Sequence, residues 1–213
     1  MLSKKITIID YGCGNILNLA RAIKFLGYEA DITHDKNKII NSSYVILPGV
    51  GAFGNAMKQI EKYNLRNTIL KYAKSNKPLL GICLGMQILL TVSYEFGVHK
   101  GLGLIEGKVI KISNEKNKEI KIPHMGWNEI YPNNNKKEWK NKILKNSSIG
   151  KSFYFVHSFV CITKDYDSTI AVCNYSDISI PAVVATGNVF GCQFHPEKSA
   201  DNGLAVLKNF CET

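Results

Sequence analysis

The chain has 213 residues, of which 45% are hydrophobic and 21% charged, and its formal net charge is +10. This length and balance are typical of a soluble globular protein rather than a disordered or fibrous one, and we expect a single domain over residues 1–213. The lysines are scattered among asparagines, without a basic stripe interleaved with aromatic residues, so we expect no nucleic-acid partner.

The cysteines and the apolar runs limit the class of protein further. No two of the six cysteines lie within four residues of each other, which excludes the close CxxC pairs of zinc sites, and we expect no metal and no cofactor. The apolar run near the N-terminus is too short for a signal peptide, and the run at 79–90 is too short to span a bilayer. We therefore expect a cytoplasmic protein with reduced thiols and no membrane partner.

The first half of the chain alternates predicted strands and helices. Strands are predicted at 5–10, 28–33, 44–49 and 78–82, and helices at 15–27, 55–63, 66–75 and from 84 to about 93. This alternation predicts a parallel sheet covered by helices on both faces.

The second half contains closely spaced strand-like segments instead. These segments lie at 103–112, 152–163, 168–175, 182–187 and 188–194, with a loop at 133–137 and a last helix at 203–210. Their spacing predicts antiparallel hairpins. The fold class is therefore α/β, with three layers and a mixed, mainly parallel sheet that gains an antiparallel portion in the second half.

The segment LLGICLG at 79–85 places a cysteine between two glycines at the end of an apolar strand. A strand that turns sharply into a helix would leave Cys83 at the apex, and Gly81 and Gly85 would remove side chains that clash in so tight a turn. The unpaired amides at the start of the helix would favour the thiolate. The pattern predicts a nucleophile elbow, although a buried core cysteine would also fit it.

The segment GCQFHPEKS at 191–199 supplies the groups that could activate such a nucleophile. His195 and Glu197 are two residues apart, so in an extended segment both side chains lie on one side, and Pro196 stiffens the link. A carboxylate beside an imidazole orients the ring and stabilises it after it takes a proton. An ordinary turn is the alternative for this segment alone.

The glycine-rich segment LPGVGAFG at 47–54 follows a predicted strand. Its backbone amides, together with the amide of Leu84, could stabilise the oxyanion of an acyl-transfer intermediate, although a simple strand-to-helix connection is also possible. Gly12 and Gly14 also suggest a dinucleotide fingerprint, but its third glycine would fall on Leu17, so that motif is absent.

Taken together, the motifs resemble the class I, triad-type glutamine amidotransferases, and among these the family of glutaminase subunits of imidazole glycerol phosphate synthase. The match runs nearly end to end, through IIDYGCGN (8–15), LPGVGAFG (47–54), GICLGMQ (81–87), GLGLIEGKV (101–109), PHMGWN (123–128), YFVHSF (154–159) and GCQFHPEKS (191–199). The resemblance implies the three-layer, flavodoxin-like fold of that class. It also implies hydrolysis of glutamine to glutamate and ammonia.

The resemblance assigns roles to residues that match the family's motifs. It implies Cys83 as nucleophile, His195 as base and acid, and Glu197 as the residue that orients it. The oxyanion donors would be the amides of Val50 and Leu84, and the glutamine-binding positions would be Gly51, Gln87, His157, Ser158 and Phe159. Phe159 departs from the family, which commonly carries tyrosine there, but a backbone role tolerates the change. The side chain of His157 fits either a packing role or a substrate contact.

The resemblance also implies a partner, because ammonia made for synthesis must be delivered through a protected path. That partner would be a (β/α)8-barrel cyclase subunit, which uses the ammonia to form imidazole glycerol phosphate and AICAR in histidine biosynthesis. The residues implied at its interface are Asn15, Pro123, His124, Met125, Gly126, Trp127 and Lys198, although Trp127 could instead pack in the core.

Three other functions fit the sequence. A paralogous subunit that supplies ammonia to an amidino-sugar synthase for surface polysaccharide would carry the same catalytic motifs. A non-catalytic interaction protein could retain the fold, but the intact Cys83, His195 and Glu197 argue against it. A free-standing thiol hydrolase or peptidase is disfavoured by the PHMGWN segment.

Overall fold

The structure is a computed structural model that describes residues 4–113, 120–133, 138–139, 141–145 and 147–213. Its strands are β1 (Lys5–Ile9), β2 (Glu29–Thr33), β3 (Tyr44–Leu47), β4 (Leu79–Ile82), β5 (Leu90–Ser93), β6 (His99–Lys100), β7 (Ile105–Lys111), β8 (His124–Pro132), β9 (Ser152–His157), β10 (Phe159–Thr163), β11 (Thr169–Tyr175), β12 (Ile178–Thr186) and β13 (Val189–Cys192). Its α-helices are α1 (Ile16–Phe25), α2 (Lys36–Asn41), α3 (Phe53–Lys62), α4 (Arg66–Lys74), α5 (Leu84–Ile88) and α6 (Ala200–Cys211).

The larger sheet is parallel in one half and antiparallel in the other. Its nine strands have the order β2-β1-β3-β4-β13-β12-β11-β8-β9. The pairings from β2 through β13 are parallel, and those from β13 through β9 are antiparallel. The α/β class with a mixed sheet is therefore confirmed.

Helices cover both faces of this sheet. The strands β3, β4 and β13 are buried along their whole length, which explains their continuous apolar sequences. In β1, Ile8 faces a core cluster that contains Leu19 of α1 and Leu207 of α6, whereas Ile9 faces a second cluster that contains Ile60 of α3 and Ile69 of α4. The two clusters give the predicted three layers.

A second sheet of four strands has the order β10-β7-β5-β6. Its strand β5 overturns part of the sequence prediction, because the helix expected from 84 to about 93 ends at Ile88. Leu90 pairs with Ile105 of β7, and Val92 pairs with both Lys100 and Lys108, so this backbone is used in a sheet. The β-branched pair at 91 and 92 also favours a strand over a helix.

The structure differs from the sequence prediction in two further respects. The segment 152–163 is two strands in different sheets, β9 and β10, which meet at Ser158. The strand β8 and the helix α2 were not predicted, because polar residues and a glycine interrupt their apolar patterns. Most of the predicted loop, residues 134–137, lies outside the described residues. Within the part that is described, no helix is long and apolar enough to cross a membrane.

Candidate active site

Cys83 occupies the sharp turn between β4 and α5. Its backbone has φ 55° and ψ −110°, a combination that side chains disfavour and that tertiary packing must maintain. The predicted strand-turn-helix elbow is therefore present. The helix that follows has only five residues, so its dipole is small.

Two glycines allow the elbow to pack. A Cβ atom on Gly85 would lie 1.8 Å from the carbonyl oxygen of Leu47 in β3, and one on Gly81 would lie 2.6 Å from the carbonyl oxygen of Gly85. No side chain fits at those distances. The glycines are thus required because α5 crosses the ends of β3 and β4 in direct contact with their backbone.

The pairing of β13 with β4 brings the histidine segment to the cysteine. Cys192 pairs with Ile82, and the amide of Cys83 donates to the carbonyl of Cys192 over 2.8 Å. Three residues after Cys192, His195 lies buried, and it lines the same cavity as Cys83. The parallel register therefore places the two candidate catalytic side chains together.

His195 and Glu197 form a buried pair. Nδ1 of His195 lies 2.9 Å from Oε1 of Glu197, and the two side chains are only 3% and 4% exposed. The expected extended conformation is wrong, because a 3-10 helix begins at Pro196, yet the two side chains still meet. Because the carboxylate accepts, Nδ1 of His195 carries a proton and donates to Glu197. Nε2, on the other side of the ring, is left without a bond to Glu197.

The pKa of His195 is raised to about 10. Burial lowers it, but interaction with Cys83 and hydrogen bonding to Glu197 raise it more. The ring is therefore protonated near neutral pH, which places a positive charge beside Cys83. Among the described residues, Nε2 of His195 and Oε2 of Glu197 are buried without a hydrogen-bond partner.

A small void lies beside the carboxylate of Glu197. It has a volume of about 10 Å³, and Asn15, Gly49, Val50 and His195 also line it. That volume is about the size of one water molecule, and the unpartnered Oε2 is a suitable acceptor for it. The pair is thus packed directly against the glycine-rich segment that was predicted to supply an oxyanion donor.

The substrate-sized cavity in front of Cys83 has a volume of about 730 Å³. Its wall contains every residue predicted for the oxyanion and for glutamine, namely Val50, Gly51, Leu84, Gln87, His157, Ser158 and Phe159. Val50 is 45% exposed and Gly51 has φ 98°, so this part of the wall is a glycine turn at the surface. The structure brings these predicted residues together in one cavity.

Two charged residues of the wall were not predicted. Glu95, which is buried, accepts a hydrogen bond from the amide of Phe53 over 2.5 Å, and Lys111 lines the same cavity. Besides His195, the cavity thus carries one acidic and one basic side chain. Neither residue lies in a segment with a recognisable pattern of catalytic residues, so the sequence offered no signal for them.

Gln87 and His157 both donate to the carbonyl of Phe159. Nε2 of Gln87 lies 3.1 Å from that oxygen, and Nδ1 of His157 lies 2.9 Å from it. Because a carbonyl can only accept, the proton of His157 is on Nδ1. This carbonyl at the start of β10 is therefore held by two side chains within the cavity wall.

A second histidine packs behind His157. Nδ1 of His124 lies 2.9 Å from Nε2 of His157, and the ring of His124 stacks on those of Phe155 and Tyr175. Burial lowers the pKa of both histidines, that of His157 to about 3, so both rings are neutral. The side chain of His157 thus serves mainly in packing and hydrogen bonding.

The PHMGWN segment forms the start of β8, and its side chains alternate between inside and outside. Met125 and Trp127 are 58% and 53% exposed, whereas His124, also predicted to face a partner, is fully buried. The ring of Trp127 contacts Tyr154 of β9, and Nζ of Lys198 lies 5.8 Å from the centre of the Tyr154 ring. The half-buried Tyr154 and the exposed Met125, Trp127 and Lys198 are called the aromatic patch below.

The other residues predicted at the interface lie beside this patch, at the cavity or at the small void beside Glu197. Asn15 and Gly126 are half-buried, and the exposed Pro123 lines the cavity in front of Cys83. Tyr154 was not predicted, although its position on β9 opposite Trp127 could have been found had β8 been recognised as a strand.

The chain is similar to known proteins along nearly its whole length. Residues 7–213 match the family model described as Glutamine amidotransferase class-I. The imidazole glycerol phosphate synthase subunit HisH 1 of Legionella pneumophila (strain Lens) is 41% identical over 97% of this chain and 98% of that protein, and the HisH subunit of Wolinella succinogenes is 42% identical over 96% and 98%. Among solved structures, PurLQS from Thermotoga maritima has a TM-score of 0.72 at 20% identity, covering 99% of each chain, which supports the fold.

Proposed function

The chain belongs to the class I glutamine amidotransferases, and on that premise we propose that it is the glutaminase subunit of an imidazole glycerol phosphate synthase, an enzyme of histidine biosynthesis. The observation that carries the proposal is 41% and 42% identity, over nearly the full length, with proteins named as that subunit. This naming favours the histidine pathway over an amidino-sugar synthase. It also favours an enzyme over a non-catalytic protein of the same fold.

The reaction begins with attack by Cys83 on the side-chain amide of glutamine. The thiolate sulfur bonds to the amide carbon, and the protonated His195 gives its proton to the nitrogen, which leaves as ammonia. A thioester remains on Cys83. His195, now neutral, takes a proton from water as the water attacks the thioester, and glutamate leaves while the thiolate is restored. Glu197 keeps the ring in the orientation that both steps require.

The negative oxygen of each tetrahedral intermediate needs donors close to Cys83. The amides of Leu84, next to the nucleophile, and Val50, in the exposed glycine turn, are proposed for this role. One such donor contributes about 10²- to 10³-fold to the rate. Because Val50 lies in a glycine turn, a partner that orders this turn would increase the rate.

The cavity wall matches the substrate in charge as well as in size. Glutamine carries an ammonium and a carboxylate group at the end opposite its amide. We assign the ammonium to Glu95 and the carboxylate to Lys111, with Gly51, Gln87 and the backbone of 157–159 supplying hydrogen bonds. Charge-assisted hydrogen bonds of this type would distinguish glutamine from neutral amides.

The partner proposed for the aromatic patch is a (β/α)8-barrel cyclase subunit that receives the ammonia. Trp127 and Met125 offer a large apolar contact area, and Lys198 adds a charge at its edge. Aromatic anchors of this kind often carry much of the binding energy of an interface. The whole of 1–213 would act as one domain in this complex, without a cofactor.

The test measures glutamate release by the purified chain alone, with the cyclase subunit, and with the cyclase plus an acceptor analogue. We expect a slow reaction alone and stimulation of about 10²-fold or more by the partner. A Cys83→Ala chain is the control, since it should bind the cyclase but release no glutamate. Equal rates in all three mixtures would refute control by the partner, and stimulation only by an amidino-sugar synthase would change the assigned pathway.

A further inference from the structure

Gln193, which the sequence analysis did not single out, lies next to the nucleophile. It follows the last residue of β13, and its backbone amide donates to the carbonyl of Ala182 in β12 over 2.9 Å. Its side chain is fully buried, and its Nε2 lies 3.7 Å from Sγ of Cys83. The same parallel register that places His195 therefore also places an amide against the sulfur.

Gln87 fixes which end of the Gln193 amide faces the sulfur. The carbonyl of Phe159 can only accept, so the group of Gln87 that contacts it is the amide nitrogen. The same nitrogen lies 3.0 Å from Oε1 of Gln193 and donates its other hydrogen there. The oxygen of Gln193 is thus occupied, and its N–H group is the one that points at Cys83.

We propose that Gln193 is a positioning residue for the nucleophile, whose side-chain N–H donates to Sγ of Cys83 and holds the sulfur toward the substrate cavity. The inference rests on the proposed function, because it concerns the same reaction. Gln87 acts on the sulfur through Gln193. A series of hydrogen bonds therefore joins the cavity wall at Phe159 to the nucleophile.

The direction of this hydrogen bond suits the ionised form of the cysteine. Sγ of Cys83 also lies 3.9 Å from the carbonyl of Val156, but that oxygen can accept only from a protonated thiol. Once the thiol of Cys83 has lost its proton, the sulfur can only accept hydrogen bonds. The buried amide of Gln193 offers it a donor from within the protein in place of water. A buried glutamine that served only in packing would not need to direct its amide nitrogen, rather than its oxygen, at Sγ of Cys83.

Few other groups near Cys83 titrate close to neutral pH. Burial raises the pKa of Tyr11, Cys161 and Cys192, so these side chains are neutral there. The pKa of His195 is raised to about 10, so its ring stays charged in alkylation measurements made well below that pH.

Three charged residues either contact His195 or line the cavity in front of Cys83. Glu197 contacts His195 directly, while Glu95 and Lys111 line the cavity with opposite charges. Burial lowers the pKa of His157 to about 3, so that ring stays neutral. A change in the ionisation of Cys83 on substitution of Gln193 would therefore report on the hydrogen bond itself.

The experiment measures the rate at which iodoacetamide alkylates Cys83 as a function of pH, with the modified peptide identified by mass spectrometry. Gln193→Glu keeps the acceptor for Gln87 but places an oxygen against the sulfur, and Gln193→Met removes both polar groups at similar length. We expect the pH midpoint of alkylation to rise by about one unit in each variant, with a roughly tenfold slower rate near neutral pH. Gln59→Glu, the same change at a half-buried position on α3, should leave the midpoint unaltered.

The outcomes separate this inference from the proposed function. If Cys83 of the unsubstituted chain is not alkylated ahead of the other cysteines, the proposed nucleophile is wrong. If it is, and the midpoint is the same in folded Gln193→Met as in the unsubstituted chain, the positioning role is wrong. Circular dichroism shows whether each variant is folded. If Gln193→Glu does not fold, the uncharged Gln193→Met variant alone tests the positioning role.

Discussion

The substitution Gly85→Ala tests whether the rate depends on the close packing of the elbow. The added Cβ would lie 1.8 Å from the carbonyl oxygen of Leu47, and real Cβ contacts are essentially never under 3.0 Å. The start of α5 must therefore move away from β3 by at least the difference, 1.2 Å. Because Cys83 lies two residues earlier, the sulfur and the amide of Leu84 move as well.

The substitution is expected to lower both the rate and the stability. Displacements of about 1 Å in an active site can lower rates about 10²-fold, whereas overpacking of this kind costs about 1–3 kcal/mol of unfolding free energy. The assays are urea denaturation followed by circular dichroism, and glutamate release in the presence of the cyclase. We expect a folded protein with a midpoint shifted to lower urea and about 1% of the rate.

Gly27→Ala is the matched control for this prediction. Gly27 has φ 86° and nothing within 4 Å of its added Cβ, and it lies after α1, away from the elbow. Alanine there should cost about 1 kcal/mol through backbone strain alone and leave the rate unchanged. A Gly85→Ala protein that keeps the full rate would refute the account of the elbow.

Further predictions concern the catalytic pair and the aromatic patch. His195→Ala should lower the rate of glutamate release more than Glu197→Gln, since the histidine transfers protons and the carboxylate only orients it; the reverse order would contradict these roles. The pKa of His195 is raised from 6.5 to about 10, so its contribution to the unfolding free energy is complete below pH 6.5 and is lost as pH rises toward 10. Denaturation series of the unsubstituted chain and His195→Gln should therefore converge over that range, and parallel curves would count against the raised pKa. Trp127→Ala should weaken binding of the cyclase by about 2 kcal/mol in calorimetry, whereas Phe25→Ala, at an exposed aromatic of α1, should not.

The sequence predicted the parts of the protein whose physical requirements are local. A glycine on each side of Cys83 is a local signature of a turn with no room for side chains, and β3 and β4 are apolar throughout because both of their faces are buried. The sequence spacing of His195 and Glu197 likewise sufficed to predict their contact, even though the backbone between them is a 3-10 helix and not extended.

Residues whose role depends on strand pairing could not be predicted in this way. Gln193 lies beside Cys83 only because β13 pairs with β4 in parallel, and the partners in a parallel sheet are distant in the sequence. The burial of His124 depends on β8 being a strand, which its interrupted apolar pattern does not indicate. The short helix α5 is another case, since pairing with β6 and β7 decides that residues 90–93 form a strand.

The position of Ser158 explains how a partner could act on the glutaminase site without a large rearrangement. This residue separates β9, which pairs with β8 in the large sheet, from β10, which begins the small sheet at Phe159. The aromatic patch lies on β8 and β9, and the carbonyl of Phe159 is held by Gln87 and His157 in the cavity wall. Because His124 pairs with His157 across the same ladder, a protein bound to the patch contacts the strand that carries the histidine of the cavity wall. Any shift of β8 against β9 would therefore change the position of that carbonyl, and through Gln87 and Gln193 the position of the sulfur.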